Sequence, residues 1–234
     1  MKNRFLIGLR HGLPIGLGYL SVSFAFGIFS LGQGLSIWET LLISMTNLTS
    51  AGQLAGVPII AAGGSLAELA VTQLVINLRY SLMSVSLSQK LHESVDLPHR
   101  FAVAFFNTDE VFAVASSRTE PLTKSYLYGL GVCPYLGWSL GTLAGALAGD
   151  ILPASLTSAL GITIYGMFVA IVIPAMRERR ATTWCVLLAV VLSCAFRYLP
   201  LLCRVSSGFA MILCAVAASA LLAYLAPLEQ EGET

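Results

Sequence analysis

The chain has 234 residues, 56% of them hydrophobic and 11% charged, with a mean hydropathy of +0.81. A soluble domain carries about 25% charged residues, and no polar stretch here is long enough to form one, so the composition excludes a water-soluble fold. The net charge of +1 argues against nucleic acid as a partner, because counterion release from a phosphate backbone needs a strongly basic surface.

What remains is an all-α, polytopic helical membrane protein, since a segment in lipid must pair its own backbone groups. One integral membrane transport domain is expected over 1–234. It has about 7–8 hydrophobic segments, one or two of them discontinuous or re-entrant. Eight segments can be drawn, at about 12–31, 38–62, 66–89, 101–116, 124–148, 155–176, 182–200 and 207–227. Lys2, Arg4 and Arg10 precede the first run and no small-residue cleavage motif follows it. That run is therefore expected to stay as a span.

Pro14, Pro58, Pro134 and Pro174 fall inside segments, where proline frees a carbonyl and kinks a helix. The N-terminal arm and Arg177-Glu-Arg179-Arg180 are the most basic connections. Six segments separate them, an even number, so both can lie in the cytoplasm as the positive-inside rule prefers.

Two segments resist a simple drawing. The run 38–62 carries Thr46-Asn47-Leu48-Thr49-Ser50-Ala51-Gly52-Gln53 at its centre, and each apolar flank is too short to span alone. The run 101–116 is short and holds Asn107-Thr108-Asp109-Glu110. Either both are discontinuous spans or both are re-entrant hairpins. The re-entrant drawing moves Lys90 and Arg100 to the cytoplasmic side and improves the charge bias.

Glycines recur every four residues at Gly8, Gly12, Gly16 and at Gly137, Gly141, Gly145, Gly149. Such a face lets another helix approach closely. It serves internal packing or the docking of a separate membrane subunit. Each ladder lies near a proline, Pro14 or Pro134, a hint of two related halves.

The segment with most chemistry is Gln73–Gln89. On a helix, Gln73, Asn77, Ser81, Ser84 and Ser88 form one polar face. Arg79 lies about 200° round from Asn77, in line with Thr72 and Ser86. A cation near the bilayer centre costs roughly 2.5–3.5 kcal/mol on insertion scales, so Arg79 must face protein or water and needs a counter-charge. Asp109 and Glu110 are the acidic residues central to a hydrophobic segment; Asp109 is the expected partner. The pair is either a fixed structural bridge or a switch in which a carboxylate takes a proton as the arginine changes partner.

Unwound backbone around 46–53 supplies N–H and C=O groups, and half-helix N-termini attract carboxylates. Asn47, Thr49, Ser50, Gly52 and Gln53, with Asn77 from the facing segment, are therefore the expected substrate-binding residues. The alternative is a packing kink satisfied by hydroxyls. Arg197 is expected to snorkel to the interface, and His11, His92 and His99 to be solvated near it. Trp38, Trp138 and Trp184 include interfacial anchors. Cys133, Cys185, Cys194, Cys203 and Cys214 lie in apolar runs without C-x-x-C spacing, which points to packing rather than a metal or disulfide framework.

These same residues carry a resemblance. Gly12-Leu-Pro14-Ile-Gly-Leu-Gly18-Tyr with Phe24-Ala-Phe-Gly27, Thr49-Ser-Ala-Gly-Gln53, Ile76-Asn77-Leu-Arg79-Tyr80-Ser-Leu-Met-Ser-Val-Ser-Leu and Thr108-Asp109-Glu110-Val-Phe-Ala resemble the AzlC-type large subunits of branched-chain amino acid permeases. The likeness covers about residues 10–180. It implies a multi-pass protein of the bacterial inner membrane that exports leucine, valine, isoleucine and similar compounds such as methionine. It also implies a small AzlD-type membrane subunit as partner, which would give one glycine ladder a purpose.

An enzyme is not expected. Asp109 and Glu110 are adjacent rather than on facing helices, no histidine lies within a span, and no nucleotide-binding loop or H-E-x-x-H occurs. No cofactor and no metal site are expected. Without a nucleotide-binding domain, secondary transport follows, with proton entry as the simplest coupling. A channel, or a scaffold subunit that does not itself transport, is the alternative. Asn77 is expected to face the substrate and Arg79 the acidic pair.

Overall fold

The computed structural model describes residues 2–151, 153, 166, 169, 172–174, 176, 177, 179–200 and 202–226. Most of the expected segment 155–176 lies outside the described residues. The chain forms α1 (Lys2–Gly32), α2 (Ile37–Thr46), α3 (Ser50–Ala61), α4 (Leu66–Ser88), α5 (Leu97–Ala104), α6 (Asp109–Ser116), α7 (Lys124–Ile151), α8 (Arg180–Tyr198) and α9 (Ser207–Leu225). Among the described residues, four helices are long and apolar enough to cross a membrane: Arg4–Gly32, Lys124–Gly149, Arg180–Tyr198 and Ser207–Leu225. The protein is all-α and polytopic.

The centre of the fold is a seam between α1 and α7. A Cβ on Gly12 would strike the backbone of Leu130, one on Gly16 that of Cys133, one on Gly141 that of Leu20, and one on Gly145 that of Phe24. Contact therefore climbs both helices in the same sense, and the two run parallel with their backbones nearly touching. Helices in lipid gain little from the hydrophobic effect, and such close approach is what gives them dispersion contact. Both glycine ladders are used up inside the chain, so neither serves a separate subunit.

Both ambiguous segments are broken, and each turns back. In the first, α2 starts from a capping box in which Ser36 Oγ accepts from the Glu39 N–H and Glu39 returns to the Ser36 N–H at 2.8 Å. The backbone opens at Asn47 (φ −136°, ψ 88°) and Thr49 (φ −135°, ψ 106°), and α3 then begins. Val57 of α3 packs with Ala25, Phe26 and Leu35, beside the start of α2. Thus α3 returns to the end of the molecule that α2 came from.

The second broken segment does the same from the other end. Val103 of α5 and Val111 and Ala115 of α6 share one cluster with Leu87, Leu122 and the start of α7. The backbone bonds His92 N–H to Leu122 O and Leu122 N–H to Lys90 O close its base. α4 runs unbroken between the two hairpins. The chain α1, first hairpin, α4, second hairpin is therefore one two-part unit followed by the same unit inverted.

The ends differ in charge. Lys90, Arg100, Arg118 and Lys124 gather with the N-terminal arm at the end where the second hairpin enters. The opposite end has Glu39, Glu68, Arg197 and Arg204. There Glu68 is 6% exposed, in the first turn of α4, and accepts from the Gly208 N–H of α9 at 3.0 Å. One carboxylate thus serves two helix N-termini.

Candidate functional site

The hairpin tips meet in the middle of the molecule at a cavity of about 810 Å³. α1 supplies one wall with Pro14, Ile15, Tyr19 and Val22. Gly18 also faces it, since a Cβ there would meet nothing within 4 Å. The first tip contributes Leu48, Ser50 and Ala51, and the second Thr108, Asp109 and Glu110. Arg79 and Tyr80 of α4 and Trp138 of α7 complete it.

The charges are arranged around Arg79. Its Nη1 lies 2.8 Å from Asp109 Oδ1 and 2.7 Å from Oδ2, while Nη2 donates to Tyr80 Oη at 3.2 Å. The guanidinium also stands 4.9 Å from the Tyr80 ring centre, a cation–π distance. Both members of the pair are a little under half exposed, at 45% and 43%, because they border the cavity. Tyr19 Oη donates to Glu110 Oε2. The cavity therefore brings one guanidinium and two carboxyl groups together.

The expected binding residues divide into two sets. Ser50, Arg79, Asp109 and Glu110 line the cavity. Asn47, Thr49, Gly52, Gln53 and Asn77 lie outside its lining and hold the first tip together. Gln73 Nε2 donates to Gly52 O at 2.7 Å, and Gln73 Oε1 accepts from Asn77 Nδ2 at 3.0 Å and Asn47 Nδ2 at 3.4 Å. Thr49 Oγ1 donates to Asn47 Oδ1 at 2.9 Å. Gln53, 1% exposed, donates to Asn47 O and accepts from Trp138 Nε1 at 3.0 Å. The reading of Asn77 as a cavity-facing group thus meets a different geometry. One turn from Gln73 on the same helix, Asn77 is drawn to that side chain and the hairpin behind it.

Sequence reasoning missed Tyr19, Tyr80, Thr108 and Trp138. Tyr19 follows the glycine run of α1 and Tyr80 adjoins Arg79, so a signal existed for both. Trp138 had none: expected among interfacial candidates, it is 3% exposed and stacks edge-on against Tyr19 with ring centres 5.2 Å apart. Trp38 and Trp184, at 73% and 64% exposed, fit the anchoring role. His11 and His99 are not simply solvated, each meeting a tyrosine hydroxyl of α7 (Tyr126, Tyr128) at 3.0 Å. Among the described residues, no group of three or more His, Cys, Asp or Glu could hold a metal ion.

Comparison with known proteins places this architecture. Residues 14–152, which include the two hairpins, the cavity and the glycine seam from Gly16 onward, match the family described as AzlC protein. The chain belongs to the AzlC family. It is 28% identical over 185 residues to the inner membrane protein YgaZ of Escherichia coli (strain K12), covering 76% of this chain and 75% of that one. It is 25% identical over 144 residues to an uncharacterized membrane protein of Helicobacter pylori (strain ATCC 700392 / 26695), covering 60% and 62% of the two chains. No solved structure matches. As an AzlC-family membrane protein, the chain has its matched region centred on the cavity rather than on α8 and α9.

Proposed function

We propose that this AzlC-family protein is a secondary transporter subunit that exports branched-chain amino acids, and similar compounds such as methionine, across the bacterial inner membrane. Export is coupled to proton entry, and the protein works with a small AzlD-type membrane subunit. The observation that carries the reading is the central cavity, which pairs an apolar wall with charges of both signs at the meeting point of two inverted half-helix hairpins.

Each part of a zwitterion finds a match. The first residues of α3, Ser50 and Ala51, border the cavity, and Thr49 makes no side-chain cap to their N–H groups. That end of a helix favours a carboxylate. Asp109 and Glu110 suit an ammonium group, while Ile15, Val22 and Leu48 suit a branched aliphatic side chain. The unbalanced carboxyl accepts either the substrate's ammonium or a proton, and this exclusivity is what antiport needs. Orientation follows from the basic end, which the positive-inside rule assigns to the cytoplasm. The small subunit binds away from the glycine seam, which α1 and α7 occupy.

The test is counterflow of labelled leucine, valine, isoleucine and methionine in proteoliposomes, with and without the small subunit, under imposed pH gradients. Saturable exchange accelerated by inward proton flow is expected. Single-channel currents, or no exchange with both subunits present, overturn the reading. Asp109→Asn with full and equally pH-dependent transport removes the proton role from Asp109.

A further inference from the structure

The two carboxyl groups of the central cavity are neighbours in the chain, yet they are drawn to different helices. Asp109 turns to α4: both of its oxygens meet Arg79 Nη1, at 2.8 and 2.7 Å, and Arg79 Nη2 is occupied by Tyr80 Oη. Glu110 turns to α1, where Oε2 accepts from Tyr19 Oη. Among the described residues no cation pairs with Glu110, and its Oε1 meets no donor. The other charged or titratable groups on the cavity are Arg79 and Tyr80 of α4 and Asp109 beside it. α7 and the first tip present Trp138 and Ser50, which do not ionise in water.

Tyr19 is itself held in place. Its ring lies edge-on to Trp138 with 5.2 Å between centres, and Trp138 Nε1 donates to Gln53 Oε1 at 3.0 Å. Gln53 in turn donates to Asn47 O of the first tip. A neutral phenol thus positions Glu110 without supplying a charge. That position suits an amino acid. Ile15, Tyr19 and Val22 share one face of α1 at helical spacing, so Glu110 is fixed at the middle of an aliphatic wall. The ammonium and the side chain of an amino acid leave the same carbon, and the groups that receive them must be adjacent. Glu110 with Ile15 and Val22 meets that condition. An ammonium directed at Asp109 would instead approach the guanidinium of Arg79, a like charge.

We propose that Glu110 is the carboxyl that exchanges a proton for the substrate's ammonium, and that Tyr19 is its positioning residue. As the amino acid docks from the cytoplasm, Glu110 releases its proton to water on that side. When the amino acid leaves on the other side, Glu110 takes a proton there. No cation has to be displaced for either step. The proposal rests on the transport reading above and narrows it to one of the two carboxyl groups.

Leucine is titrated into the full-length protein in detergent, alone and with the small subunit, in two buffers of different ionisation enthalpy, so that calorimetry counts protons. Wild type should release up to one proton per leucine, and its affinity should fall as the pH is lowered. N-acetyl-leucine, which lacks the ammonium, should release none. Glu110→Gln keeps an acceptor for Tyr19 but should abolish the release and weaken leucine binding on the order of tenfold or more. Tyr19→Phe keeps the ring against Trp138. It should raise KM severalfold and shift the pH midpoint of binding, at unchanged kcat and melting temperature. A full proton still released by Glu110→Gln overturns the proposal, and so does Tyr19→Phe with a wild-type KM and pH midpoint. Leucine exchange by the wild type without proton release at any pH sinks the proposal alone. Proton release on binding without exchange in proteoliposomes sinks the transport reading alone.

Discussion

The two hairpins occupy mirrored places in the chain but are held differently. The first tip is bound largely through backbone carbonyls: Gly52 O and Asn47 O are each capped by a glutamine, and Trp138 locks one of those glutamines in turn. The second tip is held by single side-chain pairs, Asn107 to Ser84, Asp109 to Arg79 and Glu110 to Tyr19. Carbonyls cannot change charge or swing away, whereas carboxylates can do both. The first hairpin is thus built as a fixed floor, and the second as a part whose holding contacts a proton can weaken.

The most severe test of that contrast is Arg79→Ala. It leaves Asp109 and Glu110 side by side without a cation, and transport should fall by at least about a hundredfold at equal expression. Arg79→Lys should recover part of it, since the charge survives and the forked geometry does not. Unchanged exchange by Arg79→Ala would remove the switch from the second hairpin.

Gln53→Leu tests the fixed side of the comparison. It strips a donor from Asn47 O and an acceptor from Trp138 Nε1, at about 1–3 kcal/mol for each buried group left unpaired. The expected readout is a clear fall in melting temperature in detergent, larger than for Asn107→Leu. The reverse order would mean the second tip is the more firmly built.

Topology gives a third test. A cysteine at Gly64 should react with an impermeant reagent from the periplasmic side and one at Pro98 from the cytoplasmic side. The opposite pattern belongs to two full spans and would end the comparison of hairpins altogether. The mildest change is Gly18→Leu. Its side chain enters the open space of the central cavity, so KM should rise by about three- to tenfold with little change in melting temperature.

Several of these features were legible in the sequence. Periodicity and hydropathy are local, so the apolar segments, the breaks near Asn47 and Asn107, and the isolation of Arg79 among apolar residues could all be read directly. The pairing of Arg79 with Asp109 followed from scarcity of acidic residues in the spans. Re-entry was not legible, because a half-helix that crosses and one that turns back share the same apolar pattern. The role of Asn77 was also hidden: helical phase gives the side of a helix a residue occupies, but not that Gln73 one turn away would bridge it to the first hairpin. Trp138 reads like any interfacial tryptophan until α7 is known to run beside α1.

That parallel seam also sets an order of assembly. Leu9 and His11 meet their partners on α7 only after a further 124 and 115 residues have been made. At roughly 5–20 residues per second, α1 waits on the order of 6–25 seconds for its mate. Throughout that interval its bare glycine stripe faces lipid or the insertion machinery. The glycine face of α1 is therefore covered well after it is made, and cells starved of insertion or chaperone capacity should lose this protein before α7 emerges.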